Sequence, residues 1–88
     1  MDVKPNPDVV SQELEGELVL VHLRTNRIYV LNETGGRFWE LLSAGHSPSR
    51  IHRDLSDEFD VDPAQLEQEV DALIERLARE GLITRPDE

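Results

Sequence analysis

Glu17-Leu18-Val19-Leu20-Val21-His22-Leu23, followed by Arg24-Thr25-Asn26 and then Arg27-Ile28-Tyr29-Val30-Leu31, is the stretch that decides the fold. Both apolar runs are rich in β-branched or aromatic side chains, and the polar residues between them form a turn. Alternate residues of a strand share a face, so Leu18, Leu20 and His22 oppose Val19, Val21 and Leu23. The second run divides likewise, Ile28 and Val30 against Tyr29 and Leu31. Each strand therefore has two apolar faces and is expected to be covered on both, or to have something to cover it. Upstream, Val9, Val10, Gln12 and Leu14 lead to Glu15-Gly16, a turn in which glycine permits positive φ. A small three-stranded antiparallel meander results.

Downstream the chain reads as three helices, which makes the fold class α+β. Asn32 or Thr34 caps the first, which runs to about Ser43 and turns Phe38, Trp39, Leu41 and Leu42 inward before Gly45. Ser47-Pro48 starts the second, with Ile51, Leu55 and Phe59 at every fourth residue. Asp62-Pro63 starts the third, Gln65 stands where a capping box needs it, and Gly81 stops the helix after Glu80. From Pro63 to Glu80 that helix spans about 27 Å at about 1.5 Å per residue. At about 100° per residue, Leu66, Val70, Leu73 and Leu77 form one stripe. Ile74 stands at its shoulder on the flank of Glu67, Asp71 and Ala78, and Glu69, Arg76 and Glu80 occupy the opposite flank. Leu82-Ile83 is expected to pack back on the core, ahead of a polar tail.

The 88 residues suit one domain, residues 1–88 with a core over about 5–84. Nineteen acidic side chains against nine basic ones give a net charge of −10, which disfavours binding nucleic acid through its phosphates. The charge is uneven. Residues 1–53 carry a net −1 and residues 54–88 a net −9, with eight carboxylates and no base from Asp54 to Asp71. Acids near helix starts, favoured by the macrodipole, are the simpler explanation, and an acidic surface matched to a basic partner is the alternative. Met1 to Pro5 shows no basic cluster leading into an apolar stretch, so no signal peptide is expected. The longest strongly apolar run, Leu18–Leu23, falls far short of the ~20 residues of a membrane helix. A cytoplasmic protein without a membrane partner is the expectation.

Enzyme chemistry finds little purchase. There is no Cys for a thiolate site, and His22, His46 and His52 lack zinc-motif spacing. The acidic run from Asp57 to Asp62 fails as a calcium loop, since counting from Asp60 puts Gln65 where glycine is required. Gly35-Gly36 follows a strand without the residues of a phosphate loop, which leaves close packing at a helix entry as its role. Neither a metal, a cofactor nor a catalytic residue is expected.

What the architecture offers is a sheet edge beside a long helix, able to accept an extended peptide as a further strand. Three blocks sharpen that reading: Leu14 to Leu20, Tyr29-Val30-Leu31-Asn32-Glu33-Thr34-Gly35-Gly36-Arg37-Phe38-Trp39-Glu40-Leu41-Leu42, and Val70 to Leu77 running into Glu80-Gly81-Leu82-Ile83. In this order they resemble the PqqD-like family over residues 5–84. The resemblance implies a winged-helix-like domain that recognises the leader of a ribosomally made, post-translationally modified peptide. It implies a leader added to the third strand, Arg27, Ile28, Tyr29, Val30 and Leu31, against a wall of Val70, Asp71 and Ile74 with Glu67 at the rim. It further implies a freestanding adaptor serving a separate maturation enzyme. A leader peptidase of a lasso-peptide pathway is the first candidate, and a radical enzyme of pyrroloquinoline quinone synthesis the alternative.

Two other classes are open to the residues themselves. A winged-helix transcription regulator needs basic residues on its recognition helix, whereas here the third helix begins among acids and the second holds only Arg50 and Arg53. A dimerisation module would use the Leu66–Leu77 stripe, which covers under two heptads, so a monomer or weak dimer is expected.

Overall fold

The computed structural model describes residues 3–84, so the reading of Met1-Asp2 and of the polar tail from residue 85 lies outside the described residues. The element order is β1 (Lys4–Pro5), β2 (Val9–Leu14), β3 (Glu17–His22), β4 (Arg27–Leu31), α1 (Glu33–Ser43), α2 (Pro48–Glu58), α3 (Pro63–Arg79) and β5 (Ile83–Thr84). The expected meander is β2-β3-β4, antiparallel throughout, so the strand counted third from the sequence is β4. Glu15 (φ 52°) and Gly16 (φ 84°) make the β2–β3 turn, both left-handed as a tight hairpin of matching twist requires. The β3–β4 turn takes in Leu23, expected in the strand, and closes with Asn26 N–H donating to the His22 carbonyl at 2.8 Å.

The sheet is covered on one face. Leu18, Leu20, His22 and Leu31 are buried against the helices, while Ile28 is 66% and Val30 50% exposed on the other side. Helix α1 makes that cover. Asn32 caps it, accepting the Gly35 N–H at 2.8 Å, and Phe38, Trp39, Leu41 and Leu42 enter the core. A Cβ on Gly36 would lie 3.2 Å from Leu18 Cβ, so glycine lets the helix entry sit directly on β3.

Ser47 caps α2 by accepting the Arg50 N–H at 3.3 Å, and Ile51 and Leu55 are fully buried. Phe59, expected to continue that helix, is its extended C-cap. Asp62 caps α3 by accepting from Ala64 at 2.9 Å rather than from Gln65, so the cap bond is local and not that of the expected box. Helix α3 stops one residue before Glu80, with Gly81 at φ 73°. Leu82 and Ile83 return to the core as expected. They also meet a partner not foreseen: β5 pairs with β1, Pro5 opposite Ile83, and Asn6 donates to the Leu82 and Gly81 carbonyls at 2.9 and 2.8 Å.

Helices α1 and α2 are tied on the surface by Arg37, which donates through Nε and Nη2 to the Glu58 carboxylate at 2.9 and 2.8 Å. The hydrogen-bonded guanidinium holds the Glu58 carboxyl below the usual carboxylate range, and the carboxylate raises Arg37 in turn. A lowered folded value means the pair stabilises the fold above the unfolded Glu range and is lost as pH falls through the folded value. Both side chains are 38% exposed, so screening limits the effect to about 0.2–1 kcal/mol. Glu58→Gln is expected to lower the urea midpoint slightly at pH 7, with the difference from the parent closing in acid.

A groove between strand β4 and helix α3

Register fixes which peptide groups of β4 are free. A two-residue turn makes Leu14 and Glu17 a hydrogen-bonded pair, and such pairs alternate along an antiparallel ladder. Glu17, Val19 and Val21 therefore bond β2, leaving Leu18, Leu20 and His22 to bond Leu31, Tyr29 and Arg27 of β4. The peptide groups of Ile28 and Val30 point the other way, to an edge that pairs with no strand among the described residues.

Beside that edge runs α3. Its end is fastened to the strand: Tyr29 Oη donates to Glu80 Oε1 at 3.0 Å, and Arg27 Nη1 stands 3.5 Å from the same oxygen. Towards the helix start the two elements enclose a groove of about 440 Å³. Val30 and Leu31 form its strand side, Asn32, Thr34 and Gly35 its end, and Phe38 its floor. Glu69, Val70, Ala72, Leu73 and Arg76 form its helix wall. The end of α3 meets Tyr29 through Glu80, and Glu69, eleven residues earlier, lines the groove that extends past Leu31 to Thr34 and Gly35, from which we infer that α3 runs antiparallel to β4.

Of the residues singled out from sequence, Val30, Leu31 and Val70 line this groove. Arg27 and Tyr29 hold its closed end, and Ile28 contributes its peptide group to the open edge while its side chain lies on the outer sheet face. Glu67, Asp71 and Ile74 stand elsewhere. They line a second cleft of about 300 Å³, on the other flank of α3, with Pro48, Ser49 and His52 of α2. Val70 borders both clefts. The wall facing β4 is thus the flank of Glu69, Arg76 and Glu80, because α2 packs against the flank of Ile74. The helical wheel shows both flanks, and nothing in it says which one α2 will take. Phe38 as floor and Leu73 as wall carried only a core signal.

The geometry suits an extended backbone: two free donor–acceptor pairs on a strand edge above an apolar trough. Among the described residues no three His, Asp or Glu side chains converge to hold a metal ion. No helix there is long and apolar enough to cross a membrane.

A three-stranded sheet with an open edge beside the third helix defines the class, and the family model of coenzyme PQQ synthesis protein D (PqqD) matches residues 17–83. The chain belongs to the PqqD family. Among solved structures it is similar to TbiB1 in complex with the TbiA(beta) leader peptide, at 32% identity and TM-score 0.85 over 91% of this chain and 93% of that one. It also shares the fold of a lasso peptide synthetase B1 complexed with the leader peptide, at 24% identity and TM-score 0.86 over 97% and 100%. No curated protein matches the chain.

The Tyr29–Glu80 bond predicts an energetic coupling across the closed end. Tyr29→Phe and Glu80→Ala are each expected to cost about 0.5–1.5 kcal/mol in urea unfolding. The double variant should cost clearly less than the two together, and strict additivity would show that the two side chains do not act on one another.

Proposed function

We propose that this chain is a non-catalytic adaptor: it binds the leader segment of a ribosomally synthesised precursor as an added strand on β4 and presents it to a separate maturation enzyme. The observation that carries this reading is the pair of outward peptide groups at Ile28 and Val30, set above the trough of Leu31, Phe38, Val70 and Leu73. The similarity to TbiB1, itself complexed with a leader peptide, supports it. The enzyme we put first is a lasso-peptide leader peptidase, with a radical enzyme of pyrroloquinoline quinone synthesis as the alternative. A ribosomal precursor would meet the adaptor in the cytoplasm, and one copy suffices for the groove.

The energetics are those of strand addition. Up to four backbone hydrogen bonds at about 0.5–1.5 kcal/mol each combine with two or three apolar anchors at ~1.5–3 kcal/mol each. After the cost of ordering the peptide, micromolar affinity or better remains.

Titration with a fluorescein-labelled synthetic leader of a lasso precursor tests the reading. The Val30 N–H points away from β3, so Val30→Pro removes a donor for the peptide and leaves the β3–β4 ladder intact. It is expected to weaken binding tenfold or more, as is Leu73→Glu, while Ile74→Glu stays within about threefold. No saturable binding by the parent chain contradicts the adaptor reading. Loss in Ile74→Glu with retention in Leu73→Glu moves the site to the α2–α3 cleft, where Glu67, Asp71 and Ile74 would be its wall.

A further inference from the structure

The groove wall carries opposite charges at its two ends. Glu69 and Arg76 are seven residues apart, which places them about 10.5 Å apart along α3 and within about 20° of each other around it. Both are exposed, and neither takes part in an ion pair or side-chain hydrogen bond among the described residues. Between them on the helix lie Ala72 and Leu73, and Leu31 and Phe38 line the same groove. Neighbouring charges reinforce the polarity. Glu33, in the first turn of α1, adds negative charge between Asn32 and Thr34 of the groove lining. At the other end Arg27 and Glu80 offset each other, and Arg76 is left with Arg79 one turn further on.

We propose that the groove selects leaders carrying a basic residue, an apolar anchor and an acidic residue at alternate positions, in that order from the N-terminus. This rests on the adaptor reading above. In an added strand, residues paired with Ile28 and Val30 point to the outer sheet face, and those between them point into the groove. Groove-facing residues recur about every 6.7 Å, so three of them span about 13 Å, within reach of side chains as long as those of Glu69 and Arg76. The order follows from direction. Every pairing in the sheet is antiparallel, the more stable arrangement per residue. A strand antiparallel to β4 enters at the Leu31 end, beside Glu69, and leaves at the Arg27 end, beside Arg76. The first groove-facing residue thus meets a carboxylate, the second an apolar pocket, the third a guanidinium.

A display library of random twelve-residue peptides, selected on the full chain and on its Glu69→Arg/Arg76→Glu variant, tests the pattern. The parent is expected to enrich basic–x–apolar–x–acidic sequences, and the charge-reversed chain acidic–x–apolar–x–basic ones, both keeping the apolar centre. The single variants Glu69→Gln and Arg76→Gln should each lose the preference at one position only. With a peptide selected on the parent, each should weaken binding about threefold at low salt and less at high salt. Enrichment of an apolar centre without flanking charges, or a charge order unchanged by the reversal or by the neutral variants, overturns the pattern and leaves the adaptor reading standing. Enrichment of no peptide by the parent overturns the adaptor reading itself.

Discussion

The close seating of α1 on the sheet is the constraint from which the rest follows. At the helix entry a Cβ on Gly36 would come to 3.2 Å from Leu18 Cβ, and one on Gly35 to 3.4 Å from Leu31 Cβ. With no side chain in the way, the first turn rests on β3 and β4 and delivers Phe38 straight to the centre of the core. Helix α1 then occupies the space above the sheet. Helix α2 packs on α1 and α3 on α2, and the far end of α3 is tied to β4 through Glu80. The gap between α3 and β4 is therefore a product of packing order: one end held by Tyr29, the other propped open by the start of α1.

An exposed strand edge is a hazard that proteins usually blunt with charge, proline or a bulge. The two edges of this sheet differ in that respect. Strand β2 carries Ser11, Gln12 and Glu13, whereas β4 is Ile28-Tyr29-Val30-Leu31 after a single Arg27. A short apolar edge with its peptide groups turned outward is what strand addition requires, and a helix wall alongside restricts what can be added. The fold thus leaves unguarded the one edge that lies beside a groove.

Most of the fold is legible in the sequence because each element announces itself locally. Alternation marks β3 and β4, Asn32, Ser47 and Asp62 mark the helix starts, and Gly81 marks a helix end. The β1–β5 pair is not legible, since two residues a side, one of them Pro5, carry no period. The site is half legible. Periodicity divides α3 into a core stripe and two flanks, but facing β4 is a property of how three helices stack. That is why Glu67, Asp71 and Ile74, adjacent on the wheel and plausible as a wall, turn out to face α2, while Glu69, Leu73 and Arg76 face the strand. Similarly, two apolar faces on β4 indicate that something must cover it, without telling a helix from a partner.

On the adaptor proposal a leader pairs with the peptide groups of Ile28 and Val30, which alone in β4 point outward. Residue-resolved amide hydrogen exchange, without and with a saturating leader peptide, reads this directly. In the free chain the Ile28 and Val30 amides should exchange fast, while those of Tyr29 and Leu31, bonded to β3, exchange slowly. On adding the leader, Ile28 and Val30 should become protected and the amides of α2 should be unchanged. Binding that leaves Ile28 and Val30 unprotected, or that protects the α2–α3 cleft instead, would contradict the account.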